Sequence, residues 1–136
     1  MPRPEFGVRV SLEASVAPSE DPAKVRSAMS NVMGECERSV DEGPRRIRMR
    51  SEGSASLTKL HDQLRDRHVR TAARKLMMLE RSGKETSLML NRQAACADVI
   101  ALCGSEKESP LGPLLLKIES KELDSVIQWL TAYESE

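Results

Sequence analysis

Residues 44–81 read PRRIRMRSEGSASLTKLHDQLRDRHVRTAARKLMMLER, and two kinds of hydrophobic period follow one another within them. In the first, Ile47 and Met49 alternate with Arg46, Arg48 and Arg50, the period of two expected of a strand buried on one face. In the second, Leu57, Leu60 and Leu64 recur at helical spacing, and so do Val69, Ala72, Ala73, Leu76 and Leu79. The two helical faces are out of phase, which predicts two helices, or one sharply kinked across residues 66–68. Ser54 or Ser56 is placed to cap the first of them.

The flanks extend this pattern. Phe6, Val8, Val10 and Leu12 alternate with Gly7, Arg9, Ser11 and Glu13, a second half-buried strand. Asp21 followed by Pro22 is a helix start, Val25, Ala28, Met29 and Val32 give its buried face, and Gly34 suits its end. Residues 36–40 are a short strand candidate and 41–44 a turn. Beyond the central stretch, residues 86–90 and 98–103 predict strands, with a polar turn or short helix at 91–95 between them. A loop over 104–113 leads to a last strand through Leu114, Leu116 and Ile118. Ser120 then caps a helix with the stripe Leu123, Val126, Ile127 and Leu130. Adjacent strands mixed with helices predict an α+β fold: a largely antiparallel sheet with helices packed on one face, a two-layer sandwich. One domain is expected over residues 1–136, with an ordered core across 6–132.

Composition narrows the class. With 39% apolar and 31% charged residues the chain reads as globular and soluble. No apolar run reaches the ~18 residues of a membrane span, and residues 1–5 lack the apolar stretch of a secretory signal. Three cysteines, an odd number, suit a reducing compartment, so a cytoplasmic location is expected. Phe6, Trp129 and Tyr133 are the only aromatic residues, so the core must be aliphatic. Stacking platforms for unpaired bases have almost nothing to be built from.

Charge is distributed unevenly. The whole chain carries 21 basic and 21 acidic residues, yet residues 44–81 hold eleven of the basic residues and four of the acids. Such asymmetry points to a polyanion partner. As a strand, residues 45–50 would display Arg46, Arg48 and Arg50 about 6.8 Å apart, a spacing near that of successive phosphates. Arg67, Arg70, Arg74 and Arg81 form a second basic stripe opposite a helical core face. The competing reading is a solvated face paired with acids of the same molecule. Asn91, Arg92 and Gln93, between two apolar segments, are candidate RNA contacts, or else a turn in which Asn91 satisfies local backbone groups.

Signatures of catalysis are mostly absent. No two glycines stand three apart, which removes a GxxG loop and a dinucleotide-binding turn. Gly83-Lys84 has Met78 where a phosphate loop needs glycine. Cys36, Cys96, Cys103, His61 and His68 match no zinc-ligand spacing, so no metal or cofactor is expected. A non-enzymatic protein is expected.

Three further segments carry a family resemblance. Residues 90–95 (LNRQAA), 110–113 (PLGP) before an apolar strand, and 126–130 (VIQWL) resemble those of an archaeal uncharacterised protein family whose members are described as RNA-binding domain proteins. Residues 18–21 (PSED) and the run from Leu64 to Arg67 with Ala72, Ala73 and Arg74 also fit, so the likeness extends from Val8 to Trp129. The resemblance implies a fold similar to ribosomal large-subunit protein five, RNA as partner, and no catalytic residues.

The expectation is a protein that grips the backbone of structured RNA through Arg46, Arg48, Arg50, Arg67, Arg70 and Arg74. Four to six neutralised phosphates would give a log–log salt slope of about −3 to −5. The alternative is a protein-interaction or self-assembly module, in which the basic face docks on an acidic one, including that of a second copy in a homodimer.

Overall fold

The computed structural model describes residues 7–104 and 112–131. Phe6, Tyr133 and most of the expected loop at 104–113 lie outside them. Twelve elements follow in order: β1 (Val8–Ser15), α1 (Pro22–Met33), β2 (Ser39–Glu42), β3 (Arg46–Glu52), a 3-10 turn (Ser54–Leu57), α2 (Thr58–Asp66), α3 (Arg70–Glu80), β4 (Glu85–Leu90), α4 (Arg92–Cys96), β5 (Leu102–Cys103), β6 (Leu114–Ser120) and α5 (Leu123–Thr131). The strands form one open sheet in the order β2-β3-β1-β6-β4-β5, every neighbouring pair antiparallel. The helices pack against it, and the expected α+β architecture is the one observed.

The alternation read in β1 and β3 sets the layers. Val8, Val10, Leu12 and Ala14 point into the core with Ile47 and Met49. Leu88, Leu90, Leu114, Leu116 and Ile118 continue that inner face across β4 and β6. Onto it fold the apolar faces of α1 (Val25, Ala28, Met29, Val32), α2 (Leu60, Leu64) and α5 (Leu123, Val126, Ile127, Leu130). The largest fully buried side chains are leucine, methionine and isoleucine, as the aromatic poverty required.

The expected caps are met in part: α2 starts after Leu57 with no side-chain cap, Ser54 and Ser56 lying in the 3-10 turn before it. The Asp21 carboxylate accepts from the Ala23 N–H at 3.0 Å, and the Ser120 hydroxyl accepts from the Glu122 N–H at 2.9 Å. Between α2 and α3 the chain makes a Schellman ending: Val69 N–H donates to Leu64 C=O at 3.1 Å and His68 N–H to Arg65 C=O at 3.2 Å. That geometry requires a left-handed residue, and His68 supplies it at φ 57°. Two separate helices result, the first of the two alternatives.

Three expectations shift. The strand expected at 36–40 lies at Ser39–Glu42, because the preceding residues are held by side chains: Ser51 donates to Glu37 C=O at 2.7 Å and Arg38 to Gly34 C=O at 2.8 Å. The strand expected at 98–103 shrinks to Leu102–Cys103. Asp98 takes a left-handed φ of 63°, and the Gln63 side chain bonds Asp98 C=O at 3.1 Å and Ile100 N–H at 2.6 Å, groups a ladder would need. On α3 the buried residues are Ala73 and Met77, with Val69 and Leu76 half-buried, while Ala72 is exposed and Leu79 is 71% exposed. The Thr86 hydroxyl fixes this rotation by donating to Met77 C=O at 2.5 Å.

Candidate nucleic-acid interface

Because β1 and β3 alternate, burying Ile47 and Met49 turns Arg46, Arg48 and Arg50 to the opposite side of the sheet, away from the helices. The pairing registers then arrange that open face into rows across the strands. One row is Glu52, Arg9, Glu119 and Glu85, from β3, β1, β6 and β4. The next is Ser39, Arg50, Ser11, Lys117 and Ser87, starting from β2. A third is Asp41, Arg48, Glu13, Leu115 and Met89, and Arg46 stands beyond it opposite Ser15. A shallow trough of about 1310 Å³ lies over the first two rows and part of the third, reaching the residues before β2.

Acids distant in sequence neutralise part of this face. Arg48 pairs with Glu13, its direct neighbour on β1. Arg9 lies 3.8 Å from Glu52 and 4.0 Å from Glu119. Arg46, Arg50 and Lys117 have no carboxylate within ion-pair distance among the described residues. The open face is thus a mosaic of paired charge with three cations left over, not a uniform basic surface.

The second predicted stripe lies in the other layer. Arg67 is exposed at the end of α2, Arg70 is half-buried at the start of α3, and Arg74 donates to the Gln128 side-chain carbonyl on α5 at 3.2 Å. The two arginine sets therefore occupy opposite sides of the molecule. Their expected convergence on one surface does not occur, because α3 presents its outer side away from a sheet whose free face points the other way.

The third set divides again. The Asn91 side chain accepts from the Ala94 N–H at 2.9 Å and caps α4, the structural role weighed for it. Gln93 is exposed on that helix. Arg92 is 3% exposed and is committed inward: Nη1 donates to both carboxylate oxygens of Glu20 and to Ser15 C=O at 2.7 Å, and Nε to Gly112 C=O at 3.1 Å. It clamps the segment between β1 and α1 to the approach of β6. This corrects the expectation of an outward-facing Arg92: the side chain faces inward, with Nη2 buried and unpartnered among the described residues.

Other chemistry is sparse. Trp129 stacks on His61 in the helix layer, ring centres 4.6 Å apart, and packs against the core. No disulfide joins Cys36, Cys96 and Cys103, and no group of three metal-ligating side chains occurs among the described residues. On the surface, a hydrogen bond from Arg81, followed by the attraction of its charge, holds the Asp124 carboxyl below the ordinary carboxylate range. No helix of the described residues is long and apolar enough to cross a membrane.

Sequence reading overlooked Ser11 and Lys117, which the registers place on either side of one strand boundary beside Arg50. Their outward positions were visible in the alternation of β1 and β6. Their adjacency required the pairing.

Known proteins agree with this architecture. A family model described as RNA binding matches residues 9–120. The UPF0201 protein of Metallosphaera sedula is 35% identical over 123 residues, covering 90% of this chain and 86% of its own. That of Sulfurisphaera tokodaii is 38% identical over 125 residues, with the same coverage. Among solved structures, a UPF0201 protein superposes with a TM-score of 0.77 at 21% identity, over 94% of this chain and 96% of that one. The Methanococcus jannaschii UPF0201 protein gives 0.74 at 22%, over 93% and 95%. These two likenesses concern the fold. The match over residues 9–120 and the identity to the archaeal relatives together show that the chain belongs to the family described as RNA binding, alongside the UPF0201 proteins.

Proposed function

We propose that the protein binds structured RNA without chemical turnover, and that the open face of the sheet is the contact surface. The observation that carries this reading is the pair Arg46 and Arg50, exposed on a face the molecule's own helices leave uncovered and lacking acidic partners among the described residues. The family description supports RNA as the partner. The absence of described aromatic residues from that face favours recognition by phosphate and shape over stacking on unpaired bases. Three to four neutralised phosphates give a log–log salt slope of about −3, at the shallow end of the range expected from sequence.

The test is a mobility shift with an RNA hairpin and an unstructured strand of equal length across a salt series. Tighter binding of the hairpin with a slope near −3 supports the reading. A flat salt response rejects it.

A second reading has its own observation. The row holding Arg50 and Lys117 lies beside one carrying Glu52, Glu119 and Glu85, so two copies could set opposite charges against each other. Light scattering without RNA distinguishes it: a dimer that dissociates as salt rises favours self-association.

A further inference from the structure

We infer that Arg50, Ser11 and Lys117 together form a phosphate clasp at the middle of the open face, holding one phosphodiester of a backbone that crosses the strands. This rests on the RNA-binding reading above and adds two residues and a direction to it. Ser11 on β1 is directly opposite Arg50 on β3 and Lys117 on β6. Strand spacing puts the Cα atoms of Arg50 and Lys117 about 10 Å apart, with that of the serine midway. Both side chains are long enough to lean over that serine from either side.

The chemistry is that of an oxyanion site. Arginine offers a planar fork of donors, lysine a compact charge and serine a hydroxyl donor. Ser11 and Lys117 are half-buried, and beyond the backbone ladder the side chains of the three make no hydrogen bond to another described residue. The same row continues outward with Ser39 and Ser87 and contains no carboxylate, although the rows on both sides do. On those rows Glu13 is engaged by Arg48, and Glu52 and Glu119 by Arg9. The acids nearest the clasp are therefore largely occupied, and an anion lying along this row meets donors throughout. A backbone following the strands instead would cross from donors to acids within two residues.

Fluorescence anisotropy of a labelled RNA hairpin, across a salt series, tests the clasp in Ser11→Ala, Lys117→Ala, Arg50→Ala and the Arg50→Ala/Lys117→Ala pair. Thermal melting of each variant checks that it folds. Both single cation removals should weaken binding several-fold. If the two cations share one phosphate, the double variant lowers the salt slope by about one and not by two. Ser11→Ala should weaken binding with the slope unchanged. A loss of two in the double variant overturns the shared phosphate. If Lys117→Ala and Ser11→Ala bind as the unaltered protein does while Arg50→Ala is weaker, the clasp fails and the open face stands. If none of these changes matters, RNA is not held on the open face at all. Displacement of the hairpin by polyglutamate of equal charge at equal concentration would reject phosphate as the preferred anion.

Discussion

The Arg92 guanidinium reaches both carboxylate oxygens of Glu20, at 2.8 and 2.7 Å, where the two side chains keep only 3% and 9% of their exposure. A charge pair this enclosed is costly to leave half-made. Removing one partner strands the other in the interior, a loss of about 3–5 kcal/mol. Arg92→Ala should therefore lower the urea midpoint sharply. Replacing both partners, as in Arg92→Met with Glu20→Leu, should cost less than the single change. At temperatures where Arg92→Ala is still folded, its RNA affinity should equal that of the unaltered protein.

His68 tests the boundary between α2 and α3. A non-glycine residue in the left-handed region costs roughly 1–2 kcal/mol, and glycine avoids that at an entropic cost of about 0.5–1 kcal/mol. His68→Gly should be neutral or stabilising by up to about 1 kcal/mol. His68→Val, β-branched at φ 57°, should destabilise by about 1 kcal/mol or more. Equilibrium urea unfolding reads both. A stabilising valine would mean that the helices do not separate at this residue.

How much of this was legible follows from what periodicity can and cannot carry. The alternation around Ile47 and Met49 named both faces of β3 correctly, because a strand's two sides are fixed by parity alone. The same logic found the stripe of α5. On α3 it fails at three positions: the expected face includes Ala72 and Leu79, which are exposed, and omits Met77, which is buried. Nor does a period say which layer an outer face looks from, so the arginines of β3 and α3 looked like one surface. Registers were hidden too. Glu13 stands 35 positions before Arg48, and only strand pairing makes them neighbours. Arg92 was indistinguishable from an exposed arginine because its partner, Glu20, is 72 positions away.

The Arg81–Asp124 pair gives a pH signature. Because the folded state depresses the Asp124 pKa, its contribution to stability is present above the unfolded carboxylate pKa and disappears as pH falls through the lower folded value. Asp124→Asn should therefore lower the melting temperature slightly at neutral pH, the pair being exposed. The gap from the unaltered protein should close as pH falls below the ordinary carboxylate range and through the depressed folded value. A gap that widens with acid would contradict the pairing.

Trp129, the only tryptophan, reports on the helix layer through its stack with His61. If RNA occupies the open face, saturating hairpin should leave the intensity and wavelength of its emission unchanged. Marked quenching would indicate contact near α5.

The two arginine sets lie on opposite sides of the molecule, so one comparison weighs the whole account. Hairpin affinity at a fixed low salt concentration should be measured for Arg46→Glu/Arg50→Glu and for Arg67→Glu/Arg74→Glu, two variants with equal charge change. The first should lose binding by about a hundredfold or more, if each reversal costs ~1.4 kcal/mol or more, and the second should lose only the modest amount that net charge accounts for. Equal losses in the two, or the larger loss in the helix-layer variant, would contradict the open face as the RNA surface.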